Sequence, residues 1–330
     1  MENVNDQLLK IDKLRTVIKV RNGEVVPVDG VDITVLPHST VGIVGESGCG
    51  KSMTAMSIMG LLPKNIRIDS GSINLNGTEL TKLSQKEMRK ITGDRISIIF
   101  QEPMTSLNPV ITVGKQVREA ITLHRKVSKN EAKEMVVEMF RSVGIPEPER
   151  RYYSYPHELS GGLRQRVMIA MAMVCEPELL IADEPTTALD VTVEAQILHL
   201  MRKLRDEKNT SIMMITHNLG VVAEICDTVY VMYAGQVVEH TDVYEIFKYP
   251  SHPYTEGLLD SLPTVNSKER LNSIPGIVPK LDKLPKGCRF HDRCKYATER
   301  CKNEAPPLYD IGNNHTVRCF RAEDKGKEVE

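Results

Sequence analysis

The sequence lacks any long hydrophobic run, any excess of charge of one sign, and any internal repeat or low-complexity segment. Its longest apolar stretch, Val167 to Cys175, is far too short to cross a bilayer, which takes about 20 residues. The 43 Lys and Arg balance 44 Asp and Glu, for a formal net charge of −1. No global field therefore draws a polyanion, and nucleic acid is not an expected partner. The start, Met1-Glu2-Asn3-Val4-Asn5-Asp6, is acidic and polar, unlike the basic and then apolar opening of a secretory signal. A cytosolic location follows, with any membrane role exerted through a partner. At 330 residues, 41% hydrophobic and 26% charged, the chain suits two domains, or one large domain with appendages.

Cysteine is sparse and uneven. Cys49, Cys175 and Cys226 stand alone and read as small buried residues, although Cys49 lies beside a helix N-terminus, where an exposed thiol could respond to oxidants. Cys288, Cys294, Cys301 and Cys319 cluster near the C-terminus, and in a cytosolic chain such clustering points to metal before disulfides. The close Cys-x-x-Cys pairs of structural zinc sites are absent.

Against these absences stands one strong motif. Gly45-Glu46-Ser47-Gly48-Cys49-Gly50-Lys51-Ser52 fits the phosphate-binding loop G-x-x-x-x-G-K-[ST]. The apolar run Thr40 to Val44 reads as a buried strand before it, and Met53 to Leu62, interrupted at Gly60, as a helix after it. Glycines let backbone approach a phosphate chain closely, and the loop N–H groups face the negative charge together with the helix N-terminus. Lys51 can reach the β- and γ-phosphates, and the Ser52 hydroxyl can hold Mg²⁺. A second apolar run, Leu179 to Ala182, ends in Asp183 and Glu184. Beside a phosphate loop, such a strand end places one carboxylate for metal and one to accept a proton from attacking water. Ser160-Gly161-Gly162 precedes another helix, Arg164 to Cys175, and offers a second anion site. One nucleotide does not need both, so each subunit is expected to lend this turn to the nucleotide of another.

Around these motifs the texture changes in blocks. Leu8 to Leu36 alternates in short runs broken at Asn22-Gly23 and Asp29-Gly30, the pattern of antiparallel strands and tight turns, and Gly71 to Leu75 adds a strand ending at Asn76-Gly77. Arg95 to Phe100 is a buried strand, followed by helical sequence to His157; there Ser128 and Glu131 form a capping box, and Gly144 is a stop. Parallel strands resume at Leu179 to Ala182 and Ser211 to Ile215, joined by an amphipathic helix from Val191 to Leu204. Beyond Tyr249, prolines accumulate; this part reads as a separate appendage with little regular structure, ending in a disordered tail of ten residues.

The ordered set Gly45 to Ser52, Gln101, Leu159-Ser160-Gly161-Gly162, Asp183-Glu184, Leu189-Asp190 and His217 resembles that of ATP-binding-cassette ATPases over residues 8–248. The resemblance implies an α/β fold: a RecA-like P-loop core with a parallel sheet, an antiparallel β subdomain, and an α-helical subdomain inserted at about residues 103–158. It implies an ATP hydrolase that pairs head to tail with an identical or paralogous subunit, two ATP molecules lying between phosphate loop and signature loop. By resemblance, Gln101 senses Mg²⁺ and the γ-phosphate, Asp183 and Ser52 hold the ion, Glu184 is the base, His217 contacts the γ-phosphate and Asp190 lies at the dimer interface. Two departures stand out. Arg15-Thr16-Val17-Ile18 lacks the aromatic residue that usually stacks on adenine, leaving Val17 or Ile18, and Leu163 stands where Gln is common.

Residues 249–330, with His252-Pro253-Tyr254-Thr255 and Pro275 to Pro279, resemble the tail of oligopeptide and dipeptide importer ATPases. That likeness implies peptide uptake through two permease subunits with an extracytoplasmic binding protein, the ATPase lying at the cytoplasmic face of the membrane. It also implies a [4Fe–4S] cluster on Cys288, Cys294, Cys301 and Cys319, with zinc or no metal as alternatives and basic residues such as Arg289, Arg293, Arg300 and Arg321 offsetting its charge. Nickel or another small solute is an alternative cargo. A soluble cassette ATPase of translation or DNA repair is the rival class, disfavoured because those usually join two cassettes or carry a long coiled coil.

Overall fold

The computed structural model describes residues 7–21, 23–100, 106–187, 189–262 and 273–329. β1 (Leu9–Val20) and β2 (Gly23–Val35) pair antiparallel from Leu9↔Val35 to Val20↔Gly23. The expected Asp29-Gly30 turn does not form. Both residues lie inside β2, where the register slips between Leu14↔Val31 and Thr16↔Val28 and Gly30 adopts φ 63°. A left-handed glycine opposite a register slip makes a bulge, so the strand bends and continues.

β3 (Thr40–Val44) runs into the phosphate loop, and α1 (Lys51–Met59) follows, closed by Gly60 at φ 64°. β4 (Ile66–Leu75) and β5 (Thr78–Glu79) are joined by Asn76 and Gly77, both at positive φ, as a tight hairpin requires. β6 (Ile96–Ile99) is followed by α2 (Val113–His124) and α3 (Lys129–Ser142). The Ser128–Glu131 capping box is present at the start of α3, and Gly144 turns left-handed just beyond its end. Then come α4 (Gly161–Met173), β7 (Leu179–Asp183), α5 (Val191–Lys208), β8 (Ser211–Thr216), β9 (Thr228–Tyr233), β10 (Gln236–Asp242) and α6 (Pro253–Asp260). The last strands are short: β11 (Tyr309–Asp310), β12 (Thr316–Val317) and β13 (Lys327–Glu328). Among the described residues no helix is long and apolar enough to cross a membrane.

The chain divides into two compact units. One holds Lys82–Met214 with Leu36–Ser39. In it β6 and β7 pair in parallel from Ile96↔Leu179 to Ile99↔Ala182, and β8 begins on the other side of β7. β7, α5 and β8 are thus the expected strand–helix–strand unit. Buried Ile197, Leu198, Leu200, Met201 and Leu204 form the inward stripe of α5.

The other unit holds Leu9–Val35, Thr40–Thr81 and Ile215–Glu330. It contains a four-stranded antiparallel sheet, β2-β1-β4-β5, and the strand series β13-β11-β12-β10-β9-β3. β3 and β9 are parallel from Val41↔Thr228 to Val44↔Val231. The stretch after Tyr249 is therefore no separate appendage. β12 pairs with β10 through Glu239↔Val317 and His240↔Thr316, while Tyr254 and Phe290 enter one core cluster with Val44, Val231 and Tyr233. The tail expected to be disordered includes β13, paired with β11 through Tyr309↔Glu328. The backbone groups of β10, which would otherwise need another partner, explain why a proline-rich segment settles there.

Candidate nucleotide site

The phosphate loop is shaped by close backbone approach. Gly45, Gly48 and Gly50 have φ of +154°, +79° and +110°. A Cβ on Gly45 would stand 2.2 Å from the Met232 carbonyl oxygen, and one on Gly50 2.4 Å from that of Pro27. At Gly48, by contrast, nothing lies within 4 Å of where a Cβ would be. Lys51 is buried, and its Nζ donates to the carbonyls of Gly45 at 2.7 Å and Glu46 at 3.2 Å. Gly235 N donates to Cys49 O at 2.9 Å, tying the loop to the β9–β10 turn. A bare cradle with an ammonium and a hydroxyl at the head of α1 suits a Mg²⁺–triphosphate. Magnesium ordinarily takes only one or two protein oxygens beside those of phosphate. Cys49 is fully buried, in line with its reading as a small buried residue, and burial pushes its thiol pKa up, which removes the alternative of an exposed, oxidant-sensitive thiol. On β1, Val17 is buried and Ile18 half-buried.

In the other unit Asp183 ends β7 and is buried, and Glu184 follows at φ 48°. A left-handed glutamate is unusual and costs backbone energy, the sort of strain found where a side chain must be aimed. Glu184 is held by the hydroxyl of Thr187, which donates to its Oε2 at 3.0 Å. The turn is fixed from two helices: Gln165 of α4, fully buried, donates from Nε2 to Pro185 O at 2.6 Å, and Thr186 meets Glu194 of α5 at 2.8 Å. Ser160 caps α4, accepting from Leu163 N at 3.4 Å, and is exposed. Gly161 has nothing within 4 Å of a would-be Cβ. Asp190 caps α5 by accepting from Val193 N at 2.9 Å. His217 is exposed just after β8. Gln101 lies outside the described residues.

The metal expectation at the C-terminus is overturned. Among the described residues no group of three or more His, Cys, Asp and Glu is arranged to hold a metal ion, so neither a [4Fe–4S] cluster nor zinc stands at Cys288, Cys294, Cys301 and Cys319. The four thiols line a pocket of about 170 Å³ together with Phe290, Tyr296, Pro306 and Phe320. In that apolar setting burial pushes Cys288 up to about 11 and moves Cys294 and Cys319 upward. Nor are the surrounding cations a counter-charge for such a cluster. Arg289 pairs with Asp29, Arg293 with Glu46, Arg300 with Glu323 and Arg321 with Glu256.

Two sets of residues near these motifs escaped sequence reading. Gln165 carried no distinct signal, since it stands between Arg164 and Arg166 in the polar first turns of α4. Tyr254 and Arg293 were read only within the tail's likeness and as a counter-charge for a cluster; their contact with Glu46 of the phosphate loop carried no signal, because they stand more than 200 residues away from it.

Comparison with known proteins agrees with this geometry. Residues 28–187 match the ABC transporter family, and residues 238–301 the oligopeptide/dipeptide transporter C-terminal region. The oligopeptide transport ATP-binding protein AppD of Bacillus subtilis is 50% identical over 97% of this chain and 98% of its own length. OppD of Escherichia coli, also an oligopeptide transport ATP-binding protein, is 50% identical over 96% of this chain and 94% of its own. Among solved structures, the dimeric structure of MJ0796, a bacterial ABC transporter cassette, superposes with a TM-score of 0.64 at 26% identity, over 71% of this chain and 98% of that one. With its phosphate loop, acidic strand end and signature turn in one chain, this protein belongs to the ABC transporter family of ATP-hydrolysing subunits, and carries the C-terminal region of its oligopeptide/dipeptide branch.

Proposed function

We propose that this subunit powers the uptake of oligopeptides or dipeptides through a separate permease, working at the cytoplasmic face of the membrane as one half of a cassette dimer. The observation that carries the cargo assignment is likeness along nearly the whole chain, tail included, to AppD and OppD. ATP would lie on the Gly45–Ser52 loop, its phosphates against the loop amides and the head of α1, with Lys51 leaving its carbonyl partners for the β- and γ-phosphates. Ser52 and Asp183, with Gln101, would hold Mg²⁺, which supplies charge neutralisation on the phosphates. Glu184 takes a proton from water as its oxygen bonds to the γ-phosphorus. The bond from phosphorus to the bridging oxygen breaks, leaving ADP and phosphate. His217 would steady the γ-phosphate, and Ser160 to Gly162 would serve the nucleotide of the second cassette, a copy or a paralogue, with Asp190 at the junction. ATP binding closes the pair and hydrolysis reopens it, and the helical block around α2 and α3 passes that motion to the two permease subunits. An extracytoplasmic binding protein delivers the peptide.

The test is transport. In proteoliposomes holding this chain with its partner subunits, a labelled tripeptide should accumulate when ATP is supplied. Glu184→Gln should keep ATP binding while cutting turnover and uptake at least about tenfold, given what a general base contributes. Accumulation of nickel in place of peptide would sink the cargo assignment, and unchanged turnover would remove Glu184 as the base.

A further inference from the structure

Glu46 places a carboxylate inside a loop shaped for anions, where a free negative charge would oppose a triphosphate. The structure deals with that charge from the C-terminal region. Arg293, whose side chain is 4% exposed, binds both Glu46 oxygens, Nη1 to Oε2 at 2.6 Å and Nη2 to Oε1 at 3.0 Å. The guanidinium is itself aimed: Nε donates to Pro275 O at 2.8 Å, and the side chain also meets Ile274 O and the Tyr233 hydroxyl, each at 3.4 Å. The Glu46 backbone is held as well, its N–H donating to the Tyr254 hydroxyl at 2.8 Å. Tyr254 is fully buried at the head of α6. That helix is anchored by Glu239, which is completely buried and accepts from Ser251 N at 2.6 Å and His252 N at 2.9 Å. Both contacts to Glu46 are thus made by rigid, buried groups that follow β10 in the chain.

We propose that Arg293 is a positioning residue for nucleotide binding: it neutralises Glu46 and turns its carboxylate away from the phosphate cradle, while Tyr254 fixes the Glu46 peptide. The C-terminal region then sets the affinity of the phosphate loop. A fork-shaped guanidinium suits this task because two parallel charge-assisted hydrogen bonds fix direction as well as charge. The inference rests on the reading of Gly45–Ser52 as the ATP site.

MgATP binding by the full-length chain tests it, with Arg293→Met, Glu46→Gln and the double variant, thermal unfolding reporting the fold of each. Arg293→Met should bind about tenfold more weakly, and the deficit should shrink at high salt as the freed carboxylate is screened. The double variant should regain most of that loss, because the offending charge is gone. Glu46→Gln alone, leaving Arg293 unopposed, should bind about threefold more tightly and with a steeper salt dependence. Folded Arg293→Met with wild-type affinity overturns the proposal, as does a double variant as weak as the single one, which would make Arg293 a strut only. If Arg293→Met does not fold, Glu46→Gln decides, and unchanged or weaker binding overturns it. Wild-type binding that does not depend on Lys51 would overturn the site reading itself, and this proposal with it.

Discussion

The chain presents two helix N-termini suited to anions, and they are finished in opposite ways. The Gly45–Ser52 loop is enclosed by its own unit: Lys51 on loop carbonyls, Gly235 on Cys49, Tyr254 and Arg293 on Glu46, and foreign backbone within 2.4 Å of where side chains would be on Gly45 and Gly50. The start of the Ser160–Gly162 turn is open, with Ser160 and Gly161 exposed and nothing within 4 Å of a would-be Gly161 Cβ, while Gly162 packs against Val193 of α5. A site that keeps its own ligand is braced within one chain; a turn that serves a ligand on another molecule has to stay uncovered. The sharpest way to break the comparison is at the crowded glycines. Gly50→Ala meets both a left-handed backbone and the Pro27 carbonyl, so it should cost about 3 kcal/mol or more of stability and abolish MgATP binding. Gly48→Ala, left-handed but uncrowded, should cost only about 1–2 kcal/mol. Denaturant titrations with equal midpoints for the two would mean that enclosure of the loop counts for nothing.

The same contrast explains what could be read from sequence. The phosphate loop, the acidic strand end and the signature turn are local patterns, and each was legible with its flanking strand or helix; so were the capping box at Ser128 and the Asn76-Gly77 hairpin. What was not legible depends on contacts distant in sequence. Asp29-Gly30 has the composition of a turn, but pairing with β1 on one side keeps it in a bulged strand. The proline-rich tail has weak local propensity, yet the edge of β10 gives its last strands partners. Four clustered cysteines in the sequence do not form a metal-holding group in space. The anchors Gln165, Tyr254 and Arg293 are ordinary residues until the fold brings them to Pro185 and Glu46.

A smaller effect sharpens the braced side of the comparison. His252 caps α6, its Nδ1 accepting from Tyr254 N at 3.0 Å, and full burial pushes its pKa down to about 4. Between that value and the ordinary 6.5 the unfolded chain binds more protons than the folded one. Stability is therefore complete above about pH 6.5 and falls as the pH drops toward 4, by about 3 kcal/mol for this residue. His240, also pushed down to about 4 by burial, adds to the loss in the same direction. His252→Asn keeps a capping side chain and removes this titration, so the slope of unfolding free energy against pH over this window should fall. An unchanged slope would show that His252 is not held neutral beneath the loop.

The smallest stability change falls on the open side, and there its sign carries the argument. Gly161 lies in the first turn of α4 at a φ that alanine accepts, with empty space where its methyl would go. On folding grounds alone, Gly161→Ala should stabilise the chain by about 0.5–1 kcal/mol, the usual gain on removing a helical glycine. If the turn exists to meet phosphate on a second cassette, the same methyl stands in that contact, and turnover should fall while the melting temperature rises. Ser160→Ala should instead lose about 1 kcal/mol of capping, and lose turnover too. Mixed dimers separate the two causes: one variant subunit paired with one Glu184→Gln subunit should keep turnover at the variant's own nucleotide, because its altered turn then serves only the nucleotide that the Glu184→Gln subunit already fails to hydrolyse. Loss of that remaining turnover would place the effect within the variant subunit itself. A Gly161→Ala protein that is both more stable and fully active would mean that the turn is uncovered for no reason connected with a second subunit.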